Sequence, residues 1–160
     1  MRTSLLLSST LNNKYEKGDF ALGRITNTQL LILTANYLGK IEGRKRFQKT
    51  VFLLQEQFGI EFSYRFTSYL YGPYSSQLQN DIDVLTRTGY LKASKIGYLF
   101  FYKITPMGQK SASQIENEYG KERVENLRKH ANNLKDFGTE ELVKWSKQLM
   151  SEKIKDNIFA

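Results

Sequence analysis

Gly43-Arg-Lys-Arg-Phe-Gln-Lys-Thr-Val-Phe-Leu-Leu-Gln-Glu-Gln-Phe58-Gly59 is the stretch on which the fold turns. Phe47, Val51, Leu54 and Phe58 recur at i, i+4, i+7 and i+11, the apolar stripe of a helix that the glycine ends. Its start is cationic: Arg44, Lys45, Arg46 and Lys49, with Lys40 just upstream, stand against Glu42 alone. Positive charge at a helix N-terminus opposes the helix dipole by roughly a few tenths of a kcal/mol, so helical stability does not account for the cluster. Contact with phosphate does. A solvated face with ion pairs to Glu42 or Glu56 is the plainer alternative.

Upstream, Leu30, Leu31, Leu33, Tyr37 and Leu38 predict a helix capped by Asn27 or Thr28 and stopped by Gly39. Downstream the period becomes two. Phe62, Tyr64 and Phe66 alternate with Ser63, Arg65 and Thr67, which predicts a strand or short hairpin over residues 60–70. Tyr71-Gly72-Pro73-Tyr74 reads as a turn; Ser76 and Gln79 have capping-box spacing, and Leu78, Ile82 and Leu85 carry a third helix towards Gly89. Residues 90–104 predict a β-hairpin turning at Ile96 and Gly97. Thr105 and Pro106 open another helix, which Gly120 weakens by about 1 kcal/mol relative to alanine. Thr139, Glu140 and Glu141 start a last helix carrying Leu142, Trp145, Leu149 and Ile154, expected to fray beyond Lys155.

Together these elements predict an α+β, mainly helical chain: a winged helix-turn-helix with additional C-terminal helices. Residues 1–24 read as a flexible N-terminal arm, 25–105 as the winged-helix-like domain, and 106–160 as helices that pair two copies in a homodimer. In that order of elements the third helix enters the major groove and the hairpin touches the backbone. Here the hairpin carries Lys92, Lys95 and Lys103 with no acid between Leu91 and Lys110, while the third helix is expected to expose Ser75, Ser76, Gln77, Gln79, Asn80, Asp83 and Arg87, with Ser76, Gln77, Asn80 and Arg87 offered to base edges. Asp81 and Asp83 oppose this reading, because carboxylates repel phosphate.

Lys and Arg total 24 against 16 Asp and Glu, a formal net charge of +8 and a pI near 9.6, which favours polyanionic partners. The expected function is therefore double-stranded DNA binding and transcriptional regulation. Phosphates would be gripped by Arg44, Lys45, Arg46, Lys49, Lys92, Lys95 and Lys103. The aromatic group Phe62, Tyr64, Phe66, Tyr69, Tyr71 and Tyr74 reads first as core and only secondarily as a platform for unpaired bases.

The segments Gly43 to Gln55, Tyr64 to Ser75 and Leu78 to Gly89 resemble the YwgA-like and SocA-like (Panacea) antitoxin domains, over about two fifths of the chain. Leu70-Tyr71-Gly72-Pro73-Tyr74-Ser75 is the most specific part. The resemblance implies a second function: a module that neutralises or recruits a partner protein such as a toxin, with Tyr71, Pro73 and Tyr74 and the exposed third helix as its contact surface. Tyr102-Lys103-Ile104-Thr105 with Gly108 looks like the wing of winged-helix regulators.

Enzymatic activity is not expected. His130 is the only histidine and there is no cysteine, so the usual nitrogen and sulfur zinc sets cannot be assembled. Gly18 to Gly23 and Gly39 to Gly43 lack the spacing of a phosphate-binding loop, and Asp81 and Asp83, two apart on a helix, diverge. No metal or other cofactor is expected. The apolar run Leu5 to Leu7 is too short for a signal-peptide core, and no stretch approaches the ~20 apolar residues of a membrane span, so a cytoplasmic protein is expected.

Overall fold

The computed structural model describes residues 23–159; the expectation of a flexible arm over residues 1–24 falls almost wholly outside the described residues. Helix α1 spans Asn27–Leu38. Its cap is Thr26, not Asn27 or Thr28: Thr26 Oγ1 accepts from the Gln29 amide at 3.2 Å and Gln29 Oε1 accepts from the Thr26 amide at 2.9 Å. The capping box is reciprocal, so two orphan donors are satisfied at once. Strand β1, Lys40–Glu42, then leads into helix α2, Gly43–Glu56. The sequence reading had no β1, since three residues are too few to display a period. It also carried α2 through to Phe58; that side chain instead stacks on His130 with ring centroids 4.0 Å apart.

Residues 60–66 correct the expectation of a strand. Ile60, Phe62 and Tyr64 are buried while Glu61, Ser63 and Arg65 are exposed, as the alternation demands, but no neighbouring strand pairs with them. Side chains take the place of a ladder. Asn27 Oδ1 accepts from the Ser63 amide at 2.9 Å, Gln55 Oε1 accepts from the Tyr64 amide at 3.0 Å, and Gln55 Nε2 donates to the Tyr64 carbonyl at 2.9 Å. Only Thr67–Tyr69 (β2) and Gly72–Tyr74 (β3) pair, antiparallel, with Tyr69 opposite Gly72. The turn is therefore Leu70-Tyr71, and Gly72-Pro73-Tyr74, expected as a turn, is a strand. Gly72 sits at φ +100, a conformation that side chains disfavour.

Helix α3 spans Ser76–Arg87. Ser75 rather than Ser76 caps it, its Oγ accepting from the Leu78 amide at 3.1 Å. Strands β4 (Leu91–Ile96) and β5 (Leu99–Ile104) form a hairpin whose turn is Gly97-Tyr98, one residue later than expected. β1 adds to the other edge of β5, giving an antiparallel sheet in the order β1-β5-β4. Helix α4 (Pro106–Tyr119) starts with Thr105 Oγ1 accepting from the Gly108 amide at 3.0 Å, as its Thr-Pro signature implies. Gly120 at φ +88 ends it, and helix α5 (Lys121–Leu134) follows at once. Helix α6 runs Thr139–Phe159, continuing past Lys155 where fraying was expected.

The chain is α+β and mainly helical, with small antiparallel sheets. One buried cluster runs through it, joining Leu30, Leu33, Phe47, Leu54, Ile82, Leu91 and Tyr102 to Ala112, Ile115, Leu127, Leu134 and Leu142. The apolar faces of α4 and α5 pack on α1, and α6 packs on α2 and β3. The helices expected to pair two copies bury Ala112, Ile115, Leu127, Leu134 and Leu142 within the chain, while Ile154 and Ile158 of α6 are exposed. Two tyrosine-carboxylate bonds tie distant segments: Tyr37 Oη donates to Glu116 Oε2, and Tyr64 Oη to Asp81 Oδ2, both at 2.6 Å. Burial, with the adjacent carboxylate second, pushes both phenols well above their usual range. Among the described residues no helix is long and apolar enough to cross a membrane.

Gly108 is the tightest point of the α4 junction. A Cβ there would overlap the Tyr90 carbonyl oxygen and stand 2.5 Å from Ile104 Cδ1. Gly108→Ala is expected to lower unfolding stability by about 1–3 kcal/mol despite alanine's better helix propensity, which chemical denaturation measures.

Candidate functional site

The cationic start of α2 is engaged within the chain. Arg46 reaches the end of α5, donating to the Leu134 carbonyl at 3.2 Å, the Lys135 carbonyl at 3.5 Å and Thr139 Oγ1 at 3.3 Å. A guanidinium at the negative end of a helix dipole is stabilising, so α5 supplies the reason for a charge that opposes α2's own dipole. Lys45 Nζ lies 3.4 Å from Glu140 Oε2, an ion pair with the first turn of α6 rather than with Glu42 or Glu56. Arg44 Nε donates to Tyr102 Oη at 3.4 Å, and its guanidinium lies 5.7 Å from the Phe100 ring centre. Lys49 corrects its place in the phosphate-gripping set most plainly: it is only 3% exposed and donates from Nζ to the Pro73 carbonyl at 3.0 Å.

The hairpin lysines divide between two faces. Strand residues alternate sides, so Lys92 and Lys103 project from the outer face of the sheet, and Lys95 from the face shared with Tyr102 and Phe100. In register, Lys40, Lys103 and Lys92 stand side by side across β1, β5 and β4. Lys40 Nζ lies 4.3 Å from the Phe101 ring centre. The six cations Arg44, Lys45, Arg46, Lys92, Lys95 and Lys103 do not form one gathered surface.

Of the face expected to be exposed on the third helix, Ser76, Gln77, Asn80 and Arg87 are exposed, whereas Ser75 and Gln79 are buried, the first as the helix cap and the second against Asp83 and Tyr102. The carboxylates between them are occupied: Asp81 by Tyr64, and Asp83 Oδ1 by Gln79 Nε2 at 3.1 Å.

What the fold does gather is a cleft of about 350 Å³ between the first turns of α2 and the β2-β3 hairpin. Arg44, Lys45, Gln48 and Lys49 line one wall, and Tyr69, Leu70, Tyr71, Gly72 and Tyr74 the other. Tyr71 and Tyr74, expected as protein contacts, thus meet Arg44, Lys45 and Lys49, expected as phosphate contacts; Pro73 is buried behind them. Tyr69, Leu70 and Tyr71 are 60, 79 and 58% exposed, and the Lys45 ammonium lies 4.7 Å from the Tyr71 ring centre. Gln48 holds the hairpin's exit, with Nε2 donating to the Ser75 carbonyl and Oε1 accepting from its amide, both at 2.9 Å. Sequence reasoning missed Leu70 and Gln48. Leu70 beside the Tyr-Gly-Pro-Tyr run was a readable signal; Gln48 in mid-helix was not.

Burial, reinforced by Lys45 and Lys147, lowers the Lys49 ammonium from its usual value to about 8. The folded state therefore binds fewer protons than the unfolded chain between about pH 8 and the ordinary lysine pKa near ~10.4, and stability contributed through this group rises with pH across that window. Lys49→Met removes the titration. Denaturant unfolding at successive pH values should show the wild type gaining on this variant from pH 8 to 10.5, whatever their offset at pH 7; parallel curves would contradict it.

No protein-family model matches the chain, nor does any curated protein or solved structure match it, so the resemblance over residues 43–89 rests on its own motif.

Proposed function

We propose that the chain is a protein-binding module whose docking surface is the β2-β3 hairpin and the cleft beneath it. The carrying observation is that the hairpin presents three large apolar side chains, Tyr69, Leu70 and Tyr71, over an apolar cleft of a size that accepts a side chain. Exposed aromatic anchors beside a pocket are the pattern of interface hot spots, and the backbone holding them is fixed by Gln48 and Lys49. The resemblance to antitoxin domains favours the same reading, since its most specific segment, residues 70–75, is this hairpin and its exit.

The experiment is site-specific photo-crosslinking in the native cell. An aromatic crosslinker replacing Tyr71 should trap one protein that the same group replacing Arg65 does not. With that partner purified, Tyr69→Ser combined with Leu70→Ser should weaken binding about tenfold or more. Crosslinks to nucleic acid alone, or the same products from both positions, would overturn the reading.

A second reading, DNA binding by a winged helix, is favoured by a separate observation. α1, α2, α3 and the β4-β5 hairpin follow in that fold's order, and Lys40, Lys103 and Lys92 stand in one row where like-charged neighbours are destabilising without an anion. The exposed Gln77, Asn80 and Arg87 are the base-reading side chains on this reading. With three phosphates neutralised, log affinity for duplex DNA should fall against log salt with a slope of about 3, and Lys92→Ala with Lys103→Ala should flatten it. The absence of a mobility shift at low salt would remove this reading and leave the first intact.

A further inference from the structure

The β4-β5 hairpin ends in three large apolar side chains that the described residues leave in solvent. Ile96 and Leu99 stand opposite each other in the last rung of the ladder and are 68 and 61% exposed, and Tyr98, in the turn, is wholly exposed. A two-residue turn asks for glycine and small polar residues, a demand that Gly97 at φ +62 meets and Tyr98 does not. A single exposed leucine needs no explanation. Three bulky side chains side by side at a projecting tip mark a surface that meets something apolar.

Behind the tip the same hairpin is cationic. Strand residues alternate sides, so Ile96 and Leu99 share the outer face of the sheet with Lys92, Lys103 and, on β1, Lys40, while Lys95 projects from the other face beside Ile96. All four lysines are exposed, and among the described residues no carboxylate pairs with any of them. Glu42, opposite Phe101, is the one acid on that face of the sheet. The rung of Lys92 and Lys103 lies four residues behind Ile96 and Leu99, about 13 Å at the rise of a strand. Apolar at the end and basic one short step behind is the order of layers in half a bilayer, where headgroups overlie acyl chains. Duplex DNA offers phosphate to the lysines but no apolar layer to the tip. A protein would have to supply an apolar socket and an acidic rim together.

Going beyond the protein-binding reading and independent of it, we propose that the β4-β5 hairpin docks the chain on an anionic lipid surface. Ile96, Tyr98 and Leu99 enter the boundary between headgroups and acyl chains, and Lys40, Lys92, Lys95 and Lys103 meet the phosphates. Tyrosine suits that boundary, since its ring is apolar and its hydroxyl stays wet. Insertion by roughly 5–10 Å brings the lysine row to the level of the headgroups, within reach of its own flexible stems. The contact needs no spanning segment: among the described residues no helix is long and apolar enough to cross a membrane, and a tip that enters one leaflet crosses nothing.

The test is flotation of the intact chain with vesicles of phosphatidylcholine, with and without phosphatidylserine. The chain should bind the mixed vesicles at least about tenfold more tightly than the neutral ones. Ile96→Ser, Tyr98→Ser and Leu99→Ser together should weaken that binding about tenfold or more, and Lys92→Ala with Lys103→Ala about fivefold for each lysine. All five positions are exposed, so the fold should survive, which circular dichroism checks. The chain has no cysteine, so Tyr98→Cys accepts a single environment-sensitive dye. Its emission should shift to the blue on the mixed vesicles and be quenched by lipids brominated on the acyl chains, while the same dye at Glu122→Cys should do neither. Binding undiminished by the three serines reduces the contact to adsorption by charge and overturns the proposal, as does failure to bind either vesicle. If the serine variant instead loses binding to duplex DNA while keeping its vesicles, the tip belongs to a groove; if it dissolves a dimer, the tip belongs to a second copy. Either result overturns lipid docking, and the crosslink from position 71 decides separately whether the β2-β3 hairpin docks a protein.

Discussion

The connection between α2 and α3 crosses the surface with almost no backbone ladder of its own, and the structure depends on α2 to supply one. Gln55 closes both hydrogen bonds of Tyr64, Lys49 takes the carbonyl of Pro73, and Gln48 closes both bonds of Ser75. Those polar groups would otherwise go unsatisfied beside a core, at a cost of about 1–3 kcal/mol each. A strand needs a neighbouring strand; here α2 acts as that neighbour through three side chains, with Asn27 of α1 taking the Ser63 amide. The consequence is a hairpin whose exit is rigid and whose tip is free.

That rigidity explains why a functional surface can be built on so small an element. A two-stranded hairpin is marginal by itself, and β2 and β3 have three residues each. Anchored at Pro73 and Ser75 and backed by α6, it can hold Tyr69, Leu70 and Tyr71 in water without collapsing them onto the core. The same anchoring places an ammonium under the strand. Polar support for the backbone and an apolar stem lining the cleft are two results of one choice of residue at position 49.

The cations at the start of α2 are organised by the C-terminal helices. Arg46 satisfies carbonyls at the end of α5, Lys45 pairs with the acidic first turn of α6, and Arg44 leans on the aromatic face of β5. A surface pair such as Lys45 with Glu140 contributes little stability, roughly 0–1 kcal/mol. Arg46, with several carbonyl partners, joins helices far apart in sequence. The basic character of the chain is thus partly structural, and the cations not tied up in this way include the row Lys40, Lys103 and Lys92 on the outer face of the sheet.

The sequence by itself determined the helices, the α4 cap, the weak point at Gly120, the β4-β5 hairpin and most of the polar face of α3, because each is set by local periodicity, capping chemistry or a glycine. It determined the burial alternation over residues 60–66 as well, though not the absence of a strand there, since burial follows side-chain pattern whereas a ladder requires a partner from elsewhere. Tertiary structure alone decided that Lys49 lies inside, that Arg44, Lys45 and Arg46 answer to segments some 60 to 95 residues away, and that the tyrosine turn and the basic helix form one cleft. A charge read along a chain has no direction; which partner it meets, and on which side of a sheet, is settled only when distant segments are packed together.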